Sequence, residues 1–302
     1  RVCLGLVITH FNRPQEVEKT ALRFKKELLQ GPYYEGKIQL IIVDNSRNLP
    51  RSLADEKGIA VIPNRNLGGS GGFSRGLIHL HHAGDFTHGL FMDDDASSEI
   101  ESIRRTFFYL TYTHEPKLAI AGAMLRAVQP NMQHENGGRF DGLCYPIKCY
   151  YNLLLTRDLL RNEQEEPIDY GAWWYFAFPL QAVKHLAFPY FVRGDDIGFS
   201  LANNFHIMTV NGISSWQADF SHKAGPLQIY LDQRNQIMHF FHGIVKDNRK
   251  RKLLKATLTL FVLNSLAYQY ESARACTLAI YDVLKGPDFW RDNVDMKAKR
   301  AE

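Results

Sequence analysis

Three consecutive carboxylates, Asp93, Asp94 and Asp95, follow the apolar residues 89–92. Neighbouring like charges repel each other and are costly to remove from water, so packing alone does not explain them. A divalent cation neutralises such a group, and hard oxygen ligands suit magnesium or manganese. Because such a cation commonly holds a substrate phosphate, the motif predicts chemistry on a nucleotide or a phosphate compound. The alternative is that Asp95 caps a helix beginning near Ser97.

A second acidic pair, Asp195-Asp196, follows the aromatic segment 188–192. Another apolar segment therefore ends in paired acids, as residues 89–92 do. The same pair is also typical of a helix start, here for a helix predicted over residues 197–203. A functional role and a capping role both remain open at this point.

Four glycines lie within five residues, at Gly68, Gly69, Gly71 and Gly72. Glycine lets the backbone approach a ligand closely, and the amides at the start of a helix predicted for residues 77–82 can face an anion. The dinucleotide-binding pattern GxGxxG does not fit, and a P-loop is excluded because no Gly-Lys-Ser or Gly-Lys-Thr follows. A flexible surface loop is the alternative.

Short apolar runs alternate with a helical pattern early in the chain, which favours an α/β fold with a largely parallel sheet and helices on both faces. In open sheets of this kind, ligands bind at the carboxyl ends of the strands. Residues 9–13, 44–46 and 93–95 stand at such ends, so we expect site residues there. The predicted elements are strands over residues 2–9, 38–43 and 60–63 and a helix over residues 16–29.

The region after residue 228 is mostly helical in pattern, which predicts a catalytic domain over residues 1–228 and a helical appendage over residues 229–302. A basic cluster in the appendage adjoins the apolar residues 256–266. A basic segment beside an amphipathic helix is typical of contact with an anionic membrane surface. The alternative is a solvated helix that packs on the catalytic domain or on a partner subunit. The cluster comprises Lys246, Arg249, Lys250, Arg251, Lys252 and Lys255.

The composition is that of a folded globular protein, with 302 residues, 45% hydrophobic content and a net charge of +4. This small charge does not indicate a nucleic-acid-binding protein. Four cysteines without CxxC spacing predict a reduced cytoplasmic protein. We expect no signal peptide, and residues 256–266 are too short to span a bilayer. Because Arg1 stands directly before a predicted strand, we expect a piece of a longer protein.

The order and spacing of these motifs resemble the inverting nucleotide-sugar glycosyltransferases of family 2, which have the GT-A fold. The resemblance covers roughly residues 2–241. The glycine-rich segment, the triple aspartate and the pair Trp173-Trp174 look most like the bacterial galactofuranosyltransferases. We therefore expect a Rossmann-like nucleotide-binding sheet with flanking helices, followed by the helical appendage. The motifs that carry the resemblance lie at residues 9–14, 43–46, 66–73, 92–96, 173–174, 195–201 and 230–235.

The resemblance implies a donor half of the site that binds a UDP-sugar together with Mn²⁺ or Mg²⁺. Asp93 and Asp95 would hold the cation, which bridges the diphosphate and stabilises the departing UDP. Asp94 would contact the donor sugar or the ribose. The residues expected around uracil and ribose are Thr9, Phe11, Arg13 and Asp44, and those expected at the diphosphate are Asn66, Gly68, Gly69 and Arg75.

The resemblance also implies an acceptor half. Asp196 would be the general base that removes the acceptor hydroxyl proton opposite the departing UDP. Asp195 would hold acceptor hydroxyls or Asp196 itself, and Glu135 stands where the family carries an acceptor-contacting acid. Trp173 and Trp174 match an aromatic platform for the sugar, although neighbouring strand residues face opposite sides, so at most one meets it. The alternatives are a core role for the tryptophans and a plain turn at Glu135.

Two positions depart from the family pattern. Gly198 stands where an acid usually follows the base, which affects acceptor positioning. Gln217 follows Trp216 where relatives generally place a metal-binding histidine, and an amide oxygen binds a hard cation less strongly. His222 is the nearest imidazole and the predicted third metal ligand, with an ordinary surface or core role as the alternative.

These motifs predict a metal-dependent inverting glycosyltransferase. We expect it to transfer galactofuranose from UDP-galactofuranose to a glycan or a polyprenyl-linked glycan, in the cytoplasm or at the inner face of the cytoplasmic membrane. Residues 91–97 also fit the apolar-Asp-x-Asp-x-Ser pattern of aspartate-nucleophile phosphatases, which normally place it on their first strand. A non-catalytic sugar-nucleotide-binding module of a larger polymerase is the third hypothesis.

Overall fold

A computed structural model describes residues 1–218, 225–245 and 250–301 of the chain. Its centre is a mixed sheet with helices on both faces. The strands are β1 Leu4–His10, β2 Ile38–Asp44, β3 Ile59–Pro63, β4 His88–Asp93, β5 Ser97–Ser98, β6 Leu118–Arg126, β7 Gln129–Glu135, β8 Gly138–Phe140, β9 Cys144–Pro146, β10 Phe176–Pro179 and β11 His206–Gln217. The helices are α1 Pro14–Phe24, with a π-helical extension Lys25–Leu29, α2 Arg51–Ala54, α3 Gly68–Ala83, α4 Ile100–Tyr112, α5 Thr156–Asn162, α6 Asp195–Asn203, α7 Pro226–Phe241, α8 Lys250–Leu266, α9 Tyr270–Leu284, α10 Pro287–Asp292 and α11 Lys297–Ala301.

The strands of the main sheet follow the order β3-β2-β1-β4-β10-β6-β11-β5, and β7 pairs with β6. Strands β3, β2, β1 and β4 are parallel, whereas β10 is antiparallel to β4 and β6. The parallel register aligns Thr9 with Asp93 and His10 with Asp44. The carboxyl ends of β1, β2 and β4 therefore meet at one edge, which confirms the predicted α/β fold.

The parallel strands are apolar along their whole length because both faces of the sheet are covered. On one face Leu6 and Ile8 pack with residues of α1 and α4. On the other face Val7 lies in a cluster with Phe73 of α3 and Phe199 of α6. The sheet edge that carries the polar strand ends is thus held rigidly between two apolar layers.

The glycine-rich segment forms the first two turns of α3, so the prediction that a helix begins only near residue 77 is wrong. Space explains the glycines: a side chain at Gly72 would lie 2.2 Å from Thr9 Cγ2, and one at Gly76 would lie 2.3 Å from Val7 Cγ1. The glycines therefore let the helix lie directly against β1. Hydrophobic periodicity did not indicate the first turns of this helix, because glycine has no side chain that contributes to such a pattern.

The last quarter of the described chain is helical, as the pattern predicts, with α7, α8 and α9 packed on one another. Helix α7 begins at Pro226, so the predicted boundary after residue 228 falls inside it. Among the described residues, no helix combines the length and the apolar character that crossing a membrane needs. Lys246 and Arg249 of the predicted basic cluster lie outside the described residues.

Candidate active site

Asp94 joins the loop after β1 to the end of β4. Its Oδ2 accepts a hydrogen bond from the Phe11 amide at 2.9 Å, and its Oδ1 lies 2.5 Å from Arg13 Nη1. The ring of His10 lies 3.6 Å away on the same carboxylate. Burial by itself raises the pKa of Asp94, but His10, the Phe11 amide and Arg13 lower it further, so the net shift is downward. Asp94 is therefore ionised, and it links the loop after β1 to the end of β4.

Asp44 shapes the neighbouring loop after β2. Its Oδ1 accepts hydrogen bonds from the amides of Ser46 at 3.0 Å and Arg47 at 2.7 Å, and its Oδ2 accepts one from Leu49 at 3.1 Å. Both oxygens thus accept backbone hydrogen bonds, and the carboxylate positions the loop after β2. Its contact with uracil or ribose stays a prediction, because a carboxylate can accept further hydrogen bonds.

His10 was not predicted as a site residue, yet it lies fully buried between Asp44 and Asp94. Its Nε2 is 2.8 Å from Asn48 Oδ1. Burial lowers the pKa of His10, but Asp94, Asn48 and Asp44 raise it more, so the charged form is favoured. The signal available in the sequence was a lone histidine next to Thr9 at a strand end.

Asp93 and Asp95 flank the tied Asp94. Asp93 is aligned with Thr9 across the sheet, and Asp95 Oδ2 lies 3.4 Å from Arg13 Nη1. Within residues 1–218, 225–245 and 250–301, no three His, Cys, Asp or Glu side chains group as a metal site. The predicted third ligand, His222, lies outside the described residues.

Gln217, which stands at the position of the expected histidine, is buried at the end of β11. Its Nε2 lies 3.4 Å from Met124 Sδ. The preceding Trp216 is paired with Ser97 on β5, so Gln217 lies one residue beyond that pair, toward Asp95. The tertiary structure therefore brings this amide to the same end of the sheet as the acidic triplet.

The start of α3 packs against the acidic pair Asp195-Asp196 and the loop before it. Asn66 Oδ1 accepts a hydrogen bond from the Gly68 amide at 3.0 Å, and the Ser70 amide donates to Phe191 O at 3.1 Å. A side chain at Gly68 would lie 2.0 Å from Phe191 O. A side chain at Gly69 would lie 3.3 Å from Asp195 Oδ2. The structure thus gives these glycines a packing role. The diphosphate-binding role of Asn66, Gly68 and Gly69 stays a prediction.

Arg75 lies seven residues inside α3, not at its start. At 1.5 Å per residue this places its backbone about 10 Å along the helix axis from Gly68. Its side chain is exposed. The prediction that Arg75 pairs with a phosphate at the helix start is therefore wrong, because the helix begins two turns earlier than periodicity indicated.

Asp195 and Asp196 form the first turn of α6, directly after Gly194, whose φ is +77°. Ser70 Oγ donates a hydrogen bond to Asp195 Oδ2 at 2.9 Å, and the Ile197 amide donates to Asp196 Oδ1 at 2.8 Å. Burial raises the pKa of both carboxyls, and the charge of Asp195 raises the pKa of Asp196 further. Ser70 is a site residue that sequence reasoning missed.

The loop before this pair is held from α7 by Arg234 and Asn235. Arg234 Nη2 donates to Tyr190 O at 2.6 Å. Asn235 Nδ2 donates to Val192 O at 2.9 Å and to Arg193 O at 2.7 Å. These bonds fix three carbonyls just upstream of the acids, so the motif at residues 230–235 supports the loop that presents them.

A group of weakly acidic side chains surrounds Asp196. Burial and the charge of Asp196 raise the pKa of Glu135 to about 8. Burial, with the charges of Asp196 and Asp232, raises the pKa of the Cys144 thiol to about 12. Burial also raises the pKa of Tyr170, as do Cys144, Glu135 and Asp196. The structure thus brings Glu135 and Asp196 together from β7 and α6, which lie about sixty residues apart.

No protein-family model matches the chain. It is 27% identical over 243 residues to the galactofuranosyltransferase GlfT2 of Mycolicibacterium smegmatis, covering 74% of this chain and 37% of that protein. It is 28% identical over 323 aligned positions to GlfT2 of Mycobacterium tuberculosis, covering 94% of this chain and 48% of that protein. The chain therefore spans less than half the length of these curated relatives. Both relatives confirm the resemblance to galactofuranosyltransferases.

Two solved structures share the architecture. The crystal structure of GalNAc-T7 with UDP, GalNAc and Mn²⁺ aligns with a TM-score of 0.52 at 12% identity, over 72% of this chain and 43% of the other. The structure of residues 1–349 of Staphylococcus aureus TarS aligns with a TM-score of 0.52 at 13% identity, over all of this chain and 92% of the other. The chain has the GT-A glycosyltransferase fold.

In this GT-A fold the tryptophan pair lies in the core. Trp173 packs against Phe73, Phe91 and Phe199 and is 5% exposed. Trp174 lies in the opposite hydrophobic layer, and its Nε1 donates to Gly122 O at 2.9 Å. The predicted opposite orientation of the two rings is confirmed, but a sugar platform needs an open ring face, so the burial of both contradicts that role.

Space also explains the departure at Gly198 from the pattern expected for the GT-A family 2 enzymes. A side chain there would lie 3.1 Å from Tyr190 Cε2 and 3.2 Å from His239 Cε1. Tyr190 and His239 are fully or almost fully buried and hydrogen-bonded to each other at 3.0 Å. An acid at this position would displace them, which explains why glycine stands there.

Proposed function

We propose that this protein is an inverting glycosyltransferase that transfers galactofuranose from UDP-galactofuranose to a glycan or a polyprenyl-linked glycan. The observation that carries the proposal is the pair of the buried Asp195 and the half-buried Asp196, with raised pKa values, at the junction of α3 and α6. A base whose pKa lies near the working pH is effective in removing a hydroxyl proton. The donor sugar is taken from the names of the two GlfT2 relatives.

In the proposed reaction Asp196 accepts the proton of the acceptor hydroxyl as that oxygen forms a bond to the anomeric carbon. The bond between this carbon and the phosphate oxygen breaks on the opposite side, and UDP leaves with the bonding electron pair. Displacement from opposite faces inverts the anomeric configuration. Asp195 stays in place through Ser70 and strengthens the base, because its negative charge raises the pKa of Asp196.

Glu135 is proposed to position the acceptor. With a pKa of about 8 it is mostly protonated at neutral pH, so it donates a hydrogen bond to a sugar hydroxyl. Its proton also avoids a third negative charge beside Asp196. The uncharged Glu135 and the ionised Asp196 thus offer a donor and an acceptor to two hydroxyls of the same sugar.

The donor is proposed to bind at the edge formed by β1, β2 and β4. Phe11 is 40% exposed there and offers a ring face to the uracil or the ribose, with Thr9 beneath it on β1. Arg13, already bound to Asp94 and Asp95, retains further N–H donors for the nucleotide. Asp94 holds the loop that carries Phe11. We propose that Asp94 also contacts the donor sugar.

Asp93 and Asp95 fit the needs of Mg²⁺ or Mn²⁺, because two carboxylates at one strand end suit a hard cation that also binds phosphate. Gln217 and the predicted ligand His222 are the candidates for a further contact. A cation bound there neutralises charge that develops on the departing diphosphate. The residues themselves supply fixed oxygens on a rigid strand end, beside the cationic Arg13.

The apolar side chains on α8 and its basic neighbours support contact with an anionic membrane surface, where polyprenyl-linked acceptors lie. Leu254, Leu258 and Leu266 are exposed on this helix, as are Lys250 and Arg251. We therefore propose that the protein acts at the inner face of the cytoplasmic membrane.

The function is tested by incubating the protein with a panel of UDP-sugars, manganese and simple glycoside acceptors, and by assigning the product anomer by NMR. Transfer from UDP-galactofuranose with inversion is the expected result. Retention of configuration would contradict the proposed mechanism. Release of inorganic phosphate from a phosphomonoester without transfer would favour the phosphatase hypothesis, and UDP binding without turnover would favour a binding module.

A further inference from the structure

The segment after α10 is anchored at three points, one at the loop before α3 and two on α7 and α9. Asp295 Oδ2 lies 2.5 Å from Arg65 Nη2, just before α3. Met296 is fully buried, and its sulfur lies 2.7 Å from Arg234 Nη1. The Lys299 ammonium lies 2.9 Å from Asp282 Oδ2 on α9. The short helix α11 is therefore held against the two loops that border the proposed site.

Arg300 on this helix bridges those two loops. Its guanidinium carbon lies 5.9 Å from the ring centroid of Phe11 and 5.8 Å from that of Phe191, within the range of cation–π contact. The Phe11 amide is bound to Asp94, and the Phe191 carbonyl accepts from Ser70. Arg300 thus lies where the donor edge meets the loop that presents the acidic pair.

Arg300 differs from two other arginines near the site, which have acidic partners. Arg13 is paired with Asp94 and Asp95, and Arg65 is paired with Asp295. By contrast, in the part of the chain that the structure describes, Arg300 forms no ion pair. Its side chain is exposed, so its five N–H donors are open to a ligand. A guanidinium on an aromatic support suits an anion with planar or paired oxygens, such as a diphosphate.

We propose that Arg300 is a donor-binding residue and that residues 295–301 form one wall of the donor site. The guanidinium donates hydrogen bonds to phosphate oxygens of a bound nucleoside diphosphate while it rests on Phe11 and Phe191. This inference rests on the proposed nucleotide-sugar function and adds to it a contact from the helical appendage. The appendage then takes part directly in donor recognition, in addition to packing on the catalytic domain.

The test is UDP affinity, measured by titration calorimetry on the whole chain and on two variants. Arg300→Met removes the guanidinium but keeps an apolar stem over the two rings. Arg291→Met is the matched control, because Arg291 is an exposed arginine of the same appendage that pairs with Asp288. Arg300→Met is expected to weaken UDP binding about tenfold, since a hydrogen bond to a charged group is lost. Arg291→Met is expected to leave it unchanged.

The outcomes separate the two claims. If the wild-type protein binds UDP and Arg300→Met binds it equally well, Arg300 is not a donor-binding residue. The proposed function is then unaffected. If the wild-type protein does not bind UDP, the nucleotide-sugar function fails and this inference with it. Equal weakening by both variants contradicts a specific role of Arg300, because charge anywhere on the appendage would then suffice. The melting temperatures of both variants, expected to match that of the wild type, confirm that they are folded.

Discussion

The proposed donor edge and the acidic pair Asp195-Asp196 use the same residue type in opposite electrostatic settings. At the donor edge Asp94 is surrounded by an amide, a guanidinium and an imidazole, and its pKa is lowered. At the start of α6 the buried Asp195 and the half-buried Asp196 lie beside each other, with mostly neutral neighbours, and their pKa values are raised. Burial acts in the same direction at both places. The difference lies in how many donors and positive charges compensate for it.

This contrast assigns different tasks to the two regions. A carboxylate that stays ionised under all working conditions suits a fixed structure, here the tie between β1 and β4. A carboxyl whose pKa approaches neutrality suits proton transfer, because it can both lose and accept a proton near the working pH. The sheet thus supplies the rigid donor edge, and α6 with its supporting loop supplies the titrating groups.

The strongest test of the contrast is Asp196→Asn. An amide cannot accept the acceptor proton, so we expect the transfer rate to fall by about 10³-fold while UDP affinity stays the same. Initial rates and UDP titrations measure both quantities. Asp141→Asn is a matched control, because Asp141 is an exposed carboxylate paired with Lys252. Full activity of Asp196→Asn would contradict the assignment of the base.

Asp94→Asn tests the donor edge. The amide cannot serve as the anionic partner of Arg13 and His10, so we expect the free energy of unfolding to fall by about 2 kcal/mol, as for other buried charged hydrogen bonds. UDP affinity should fall as well, because the Phe11 loop loses its tie. Denaturant unfolding and calorimetry measure the two effects. Asp288→Asn, at an exposed pair with Arg291, should change neither, and an equally stable Asp94→Asn would contradict the tie.

Asn235→Ala tests whether the acidic pair depends on its supporting helix. The Val192 and Arg193 carbonyls lose their donor, so we expect the turnover number to fall about tenfold, a loss of roughly 1.4 kcal/mol in transition-state stabilisation, with unchanged UDP affinity. Steady-state kinetics give the turnover number. Asn293→Ala, which removes a bond within the appendage, is the control. A fall in UDP affinity alone would place the effect at the donor edge instead.

The smallest expected effect is a shift of the pH profile in Asp195→Asn. The charge of Asp195 raises the pKa of Asp196, so its removal should move the acid limb of kcat/KM to lower pH by about one unit, the lower end of what a neighbouring like charge produces. The sign follows because the base must be ionised to act. Ser70→Ala should act less strongly and in the same direction, since loss of the Ser70 hydrogen bond raises the pKa of Asp195 and leaves less negative charge beside Asp196. A shift to higher pH in Asp195→Asn would contradict the coupling.

The sequence determined the fold class and the donor edge well. Apolar runs that end in Thr9, Asp44 and Asp93 predicted parallel strands whose ends meet, and the register confirms this. The sequence predicted the helix boundary less well at the start of α3, where glycines stand in place of the apolar side chains that mark a helix. It also could not tell a site tryptophan from a core tryptophan, because Trp173 and Trp174 are aromatic in either role.

The sequence by itself determined which chemistry the chain can offer: acids at strand ends, an aromatic loop and a second acidic pair far along the chain. Only the tertiary structure decided what each acid does. A carboxylate's pKa depends on the donors and charges within a few ångströms, and these come from distant segments: His10 and Arg13 for Asp94, and Ser70 for Asp195. In the triple aspartate, Asp94 therefore links two strand ends, whereas Asp93 and Asp95 are the candidate metal ligands. The three residues are adjacent and identical in the sequence, so the sequence alone cannot distinguish these roles.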